Sequence, residues 1–144
     1  MRISADPSTD PADYPFTHQV RVRFAETDAM GIVHHSRYLP MMEEARVRYL
    51  DHVGHPYESL RADGDMAVLE VSLRYRQPLR FDEPVDIHLK LADVTRTTFQ
   101  MQYLLTVAGP LGVSVRATGV TAHGCLTLEG KPTRLPAWLR DLAD

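Results

Sequence analysis

Apolar and polar side chains alternate from Thr17 to Phe24, with Val20, Val22 and Phe24 on one side and Gln19, Arg21 and Arg23 on the other. A period of two is the signature of a half-buried strand. The alternation stops over 25–36, after which Leu39, Met42, Ala45, Arg46, Tyr49, Leu50 and Val53 recur three and four apart. This spacing predicts one amphipathic helix over about residues 37–53, its stripe apolar except for an Arg46 that is buried or at the rim. Pro40 belongs in a first turn, where its missing N–H costs nothing, and Gly54 stands where a left-handed cap ends a helix.

Period two then returns. Ala67, Leu69, Val71, Leu73 and Tyr75 alternate with Glu70, Ser72, Arg74 and Arg76; Val85, Ile87, Leu89 and Leu91 alternate with Asp86, His88 and Lys90; Phe99, Met101, Tyr103, Leu105 and Val107 form a further row. Each of these strands is expected to have one wet and one dry face. The turn Gly109-Pro110-Leu111-Gly112 leads into a long last strand, about Val113 to Leu128, in which Gly119 and Gly124 mark bulges or close packing. Leu135 to Leu142, with Pro136 near its start, reads as a final helical turn. One long helix among strands joined by tight connections predicts an α+β fold, a five-stranded antiparallel sheet whose dry face curls around the helix.

Residues 1–14 hold Asp6, Pro7, Ser8, Asp10, Pro11 and Asp13 with almost no large apolar side chain. They are expected as a flexible tail, which leaves residues 15–144 as a single domain. A length of 144 residues suits one domain with a proper core. With 19 acidic and 16 basic side chains, the formal charge of −3 gives no electrostatic reason to bind nucleic acid. Cys125 is the only cysteine. That rules out an internal disulfide and a cysteine-based zinc site, and it fits a reducing, cytoplasmic setting. No apolar run is long enough for a signal peptide or a membrane span.

Chemistry concentrates between the first strand and the helix, in Thr27-Asp28-Ala29-Met30-Gly31-Ile32-Val33-His34-His35-Ser36-Arg37-Tyr38. A loop carboxylate, a glycine shortly after it and then a helix N-terminus put an acid or base near N–H groups that have no intrahelical partner. A carboxylate beside oxyanion donors is a hydrolytic pairing. This run, followed by Glu44-Ala45-Arg46, resembles the signature of the 4-hydroxybenzoyl-CoA thioesterase family, including its Tol-Pal-associated acyl-CoA thioesterase branch. The likeness runs from about Pro15 to Pro136 and takes in Tyr75-Arg76-Gln77-Pro78 and Phe81-Asp82-Glu83-Pro84-Val85. It implies the hotdog fold and hydrolysis of an acyl-CoA to a free acid and coenzyme A. By the same likeness Asp28 is the catalytic carboxylate, as nucleophile or general base. Gly31, His35 and Tyr38 bind substrate, with the His35 N–H polarising the thioester carbonyl. No cofactor is implied, since coenzyme A is part of the substrate. The chains are expected to self-associate as a homodimer or homotetramer, with a pantetheine groove between them. An acyl carrier protein thioesterase and a non-catalytic acyl-thioester binder are the alternatives.

Other polar residues have plainer readings. Glu26 reads as a solvated edge charge, and Glu43 and Glu44 as helix-surface partners of residues such as Arg46 or Arg48. Ser36 reads as an N-cap. The adjacent His34 and His35, and the pair His52 and His55 across a helix end, give no ligand set with a third partner, so no metal site is expected. Arg74, Arg76 and Arg80 suit the phosphates of coenzyme A by their guanidinium forks, although a basic strand face is usually solvated.

Overall fold

The chain follows the predicted order of elements. A computed structural model describes residues 3, 6–60 and 64–143. It contains β1 (Phe16–Arg21), α1 (Tyr38–His52), α2 (Tyr57–Leu60), β2 (Asp65–Tyr75), β3 (Pro84–Ala92), β4 (Thr98–Gly109), β5 (Gly112–Leu126), β6 (Pro132–Thr133) and α3 (Ala137–Asp141). The strands pair antiparallel in the order β1-β3-β4-β5-β2, and the two-residue β6 adds to β5 as a short strand beyond the expected five. β1 is shorter than expected because Phe24–Glu26 winds into a 3-10 turn, which leaves Phe24 76% exposed instead of on the dry face.

One face of the sheet wraps α1. Met41, Met42, Ala45 and Tyr49 form a single buried cluster with Ile87, Leu89, Phe99, Met101, Tyr103 and Leu105. The helix stripe is turned slightly from the expected one, since Met41 is buried while Leu39 is 41% exposed. α1 packs tightly on the sheet at Gly119, where a Cβ would lie 2.8 Å from both Met42 Cε and Leu73 Cδ2. A side chain there would force the ends of the Met42 and Leu73 side chains to shift. Arg46 is tied to the sheet by donating from Nη1 to the Tyr103 hydroxyl at 3.1 Å.

The outer face departs from the one-wet-face expectation. Leu104, Val120 and Ala122 are fully buried there, on the side away from α1, as are Thr106 and Thr118. The cause is the N-terminal segment, which lies across the sheet. Asp6 pairs with Arg74 of β2 at 3.3 Å, Pro7 is buried, and Tyr14 packs beside His88 of β3 with Lys90 Nζ over its ring. The segment is braced internally. Asp10 caps a 3-10 turn at Pro11–Asp13, the Tyr14 hydroxyl donates to Ser8 O at 2.7 Å, and Ser8 bonds the Asp13 carboxylate. Residues 6–14 are therefore a folded strap, where the sequence predicts a flexible tail.

β2 is an edge strand. A register shift between Val68 and Glu70 makes Leu69 a bulge, and Val68, Leu69, Val71 and Tyr75 are 49%, 55%, 40% and 51% exposed. The dry face expected for this strand is thus largely open.

Candidate active site

Asp28 sits at the start of a tight hairpin. Its backbone N–H donates to Ile32 O at 2.8 Å, and its carbonyl accepts the Gly31 N–H at 3.0 Å. Its Oδ1 accepts the Met30 N–H at 2.8 Å. This closes an Asx-type turn. Gly31 has φ +77°, a conformation that favours glycine. The hairpin is pinned on both sides, Thr27 bridging Val33 and Ile32 bridging Arg80. The carboxylate is thereby held at a fixed place, half-buried, at the mouth of a groove.

Immediately after the hairpin the chain enters a 3-10 turn, His35–Arg37, that runs straight into α1. His34 caps it. Its Nδ1 accepts the Ser36 N–H at 3.2 Å and lies 2.8 Å from Ser36 Oγ, so the cap is His34 and not Ser36. The Arg37 N–H donates to His34 O. Among the described residues, none accepts the His35 N–H, which leaves it as the open donor of the turn.

Asp28, His35 and Tyr38 line one groove of about 340 Å³ together with Met30, Ile32, Val33 and the 75–78 segment. Gly31 does not line it and acts by shaping the hairpin. Tyr38 is buried, its ring edge-on to Tyr75 at 4.9 Å. Burial raises the Tyr38 hydroxyl pKa, partly offset by a hydrogen bond with the Leu79 backbone and by the Arg116 charge, so the phenol stays protonated. Tyr75 reaches back over the turn, donating to His35 O at 3.4 Å. On the other side of Asp28 a second opening of about 310 Å³ is lined by Ala25, Glu26, Thr27, His34, Ser36 and Arg37.

Glu26 is not a solvated charge. It is 7% exposed and accepts the Arg23 N–H at 2.8 Å, closing the turn before Thr27. Glu44 pairs with His18 at 2.6 Å, and Glu43 lies 3.8 Å from Arg46. Of the arginines singled out for phosphate, Arg74 lies on the outer face with Asp6, whereas Arg76 lines the groove. The far wall is Tyr75–Pro78, which the sequence offers as the end of a strand and as part of the family likeness, with Arg76 as a phosphate candidate. What holds it is Arg116, whose carbonyl accepts the Arg76 and Gln77 N–H groups and whose Nη1 donates to Pro78 O.

A curled antiparallel sheet wrapped around one long helix is the hotdog fold of the thioesterases. The chain matches the thioesterase-like superfamily over residues 22–142 and belongs to it. The crystal structure of a hypothetical protein from Aquifex aeolicus superposes with a TM-score of 0.83 at 33% identity, covering 90% of this chain and 100% of that one. The 1,4-dihydroxy-2-naphthoyl-CoA hydrolase of Synechococcus elongatus is 28% identical over 141 residues, 92% of this chain and 99% of its own length. The acyl-CoA thioesterase YbgC of Haemophilus influenzae is 28% identical over 95 residues, 65% of this chain and 70% of its own.

Proposed function

We propose that this chain hydrolyses an acyl-CoA thioester, with Asp28 as the reacting carboxylate. The observation that carries the reading is the pairing, on one groove, of a fixed carboxylate with the open His35 N–H at the start of α1. The carbonyl oxygen sits at the His35 N–H, which stabilises the negative charge that develops on it. As nucleophile, Asp28 forms an acyl anhydride and expels the thiolate, and water then cleaves the anhydride. As general base, Asp28 takes a proton from the water that attacks the same carbon. Both routes end with free acid, coenzyme A and the original carboxylate. Relatives named for the hydrolysis of acyl-CoA thioesters support the substrate class. Thiol release from a graded panel of acyl-CoA substrates tests it; no release from any of them contradicts it.

The open edge of β2 supports self-association, because a strand edge presents unpaired N–H and C=O groups to a second copy. Pairing there places a partner beside Tyr75 and hence beside the groove. No helix among the described residues is long and apolar enough to cross a membrane. The unpaired Cys125 supports a reducing, cytoplasmic setting.

A further inference from the structure

His34 holds the turn that carries the open His35 N–H. Its own N–H donates to Glu26 O at 2.9 Å, which joins the turn to the segment leading into Asp28. Its carbonyl accepts the Arg37 N–H at 2.9 Å, and its Nδ1 accepts the Ser36 N–H at 3.2 Å, with Ser36 Oγ 2.8 Å away. Resting on the acyl-CoA reading above, we infer that His34 is a positioning residue: its neutral ring keeps the His35 N–H in register with the Asp28 carboxylate, and protonation of that ring lets the turn go.

The register follows from which peptide units are tied down. The His34 N–H fixes the unit before His34, and the Ser36 N–H fixes the unit after His35. The unit between them carries the His35 N–H and is thus held from both sides. One of those sides depends on a side chain that titrates. Nδ1 accepts a hydrogen bond only while it is unprotonated, so the neutral ring carries its proton on Nε2. A protonated ring has no lone pair at Nδ1. It turns an N–H toward Ser36 Oγ, and the Ser36 N–H loses its acceptor. His34 is exposed, so its ring exchanges protons with solvent directly. The titratable and charged groups around it are Glu26 and Asp28 from the preceding segment and His35 and Arg37 from its own turn, with the His35 ring centred 4.0 Å away. A small misplacement of an oxyanion donor slows the chemical step more than it weakens substrate binding.

The test combines acyl-CoA kinetics with NMR of the substrate-free chain. Wild-type kcat falls as pH drops through the imidazole range, from about 8 to about 5. His34→Asn keeps an oxygen that accepts the Ser36 N–H but takes up no proton, so it loses that limb and retains most of the neutral-pH kcat. His34→Leu has no acceptor and lowers kcat about tenfold across the same range, with KM within about twofold. In the NMR arm, ring nitrogen shifts show Nδ1 unprotonated in the neutral wild-type ring, and the Ser36 amide loses its protection from exchange as that ring titrates. An acid limb that persists in His34→Asn overturns the inference, and so does a wild-type kcat in His34→Leu. If His34→Leu does not fold, the pH profile of His34→Asn and the Ser36 amide decide. Thiol release together with Ser36 protection that ignores the ring's titration defeats the inference alone. No thiol release from any acyl-CoA, with Ser36 protection that follows the ring, defeats the acyl-CoA reading, and the inference falls with it.

Discussion

Arg116 holds Glu83 by both branches of its guanidinium, Nη1 to Oε1 at 2.8 Å and Nη2 to Oε2 at 2.9 Å. The same pair ties the turn between β2 and β3 to the body of the sheet, since Glu83 also accepts the Arg80 N–H at 2.7 Å and Arg116 donates to Pro78 O at 2.8 Å. That turn carries one wall of the Asp28 groove and, through the Ile32–Arg80 bridge, supports the hairpin itself.

Glu83→Gln is therefore expected to cost about 2 kcal/mol at pH 7, by leaving the largely buried guanidinium poorly paired. The Arg116 hydrogen bonds hold the Glu83 carboxyl below its usual 4.5. A depressed carboxylate contributes stability above its unfolded pKa and loses it as pH falls through the folded one. Urea midpoints measured at pH 7 and near pH 3 should thus show a gap between wild type and variant that narrows in acid.

His123 gives the opposite kind of group. Its ring is buried, stacked on Phe99 at 4.9 Å, with Nε2 2.7 Å from Thr121 Oγ1, and the chain continues through the Tyr103 hydroxyl to Arg46. Burial first, and then the Arg46 charge, push its pKa down from 6.5 to about 3. The unfolded chain takes up this proton first, so the contribution is level above 6.5 and stability falls as pH drops below it. The loss is roughly 1.4 kcal/mol per pH unit, or about 2 kcal/mol by pH 5. His123→Gln should flatten that part of the stability profile, which denaturation at pH 7 and pH 5 reads directly.

Tyr14 anchors the strap. It is 8% exposed, and its hydroxyl is bonded to Ser8 O. Tyr14→Ala is expected to cost about 3 kcal/mol and to make residues 6–14 readily cleaved by protease. Arg74→Ala, which removes a pair whose side chains are 64% and 66% exposed, should change stability by no more than about 0.5 kcal/mol. A large effect of Arg74→Ala alongside a neutral Tyr14→Ala would place the anchor at the wrong end.

These variants mark where the sequence was silent. α1 and the strands were legible because each repeats one chemical choice over many residues, as Ile87, Leu89 and Leu91 do. The strap was not, since its anchors, Pro7 and Tyr14, are too far apart to make a period. Spacing alone puts Leu69 on the dry face, because it does not reveal a bulge. At the site, a carboxylate at Asp28 close to a helix N-terminus is readable because both lie within one short run, while His35 and Tyr38 come only with the family resemblance. Tyr75, Arg76 and Gln77 arrive from a distant edge strand, and the guanidinium of Arg116 reaches that wall through contacts that leave no pattern along the chain.

Gly31 separates local geometry from general stability. With φ +77° and no atom near an added Cβ, Gly31→Ala meets backbone strain but no clash. It is expected to cost about 1 kcal/mol of stability. Because that strain falls on the turn that fixes Asp28, turnover should drop by more than the stability loss explains, seen as a lower kcat in a fully folded protein.

Asp28→Asn is the most direct measurement of the proposed chemistry. Asparagine retains an oxygen that accepts the Met30 N–H, so the hairpin and the fold should persist. What it loses is the charge that attacks the carbonyl or takes the proton from water. Thiol release from a cleaved acyl-CoA is predicted to fall about a thousandfold or more, with the thermal midpoint close to wild type. A folded Asp28→Asn chain that turns over at near wild-type rate would contradict the account.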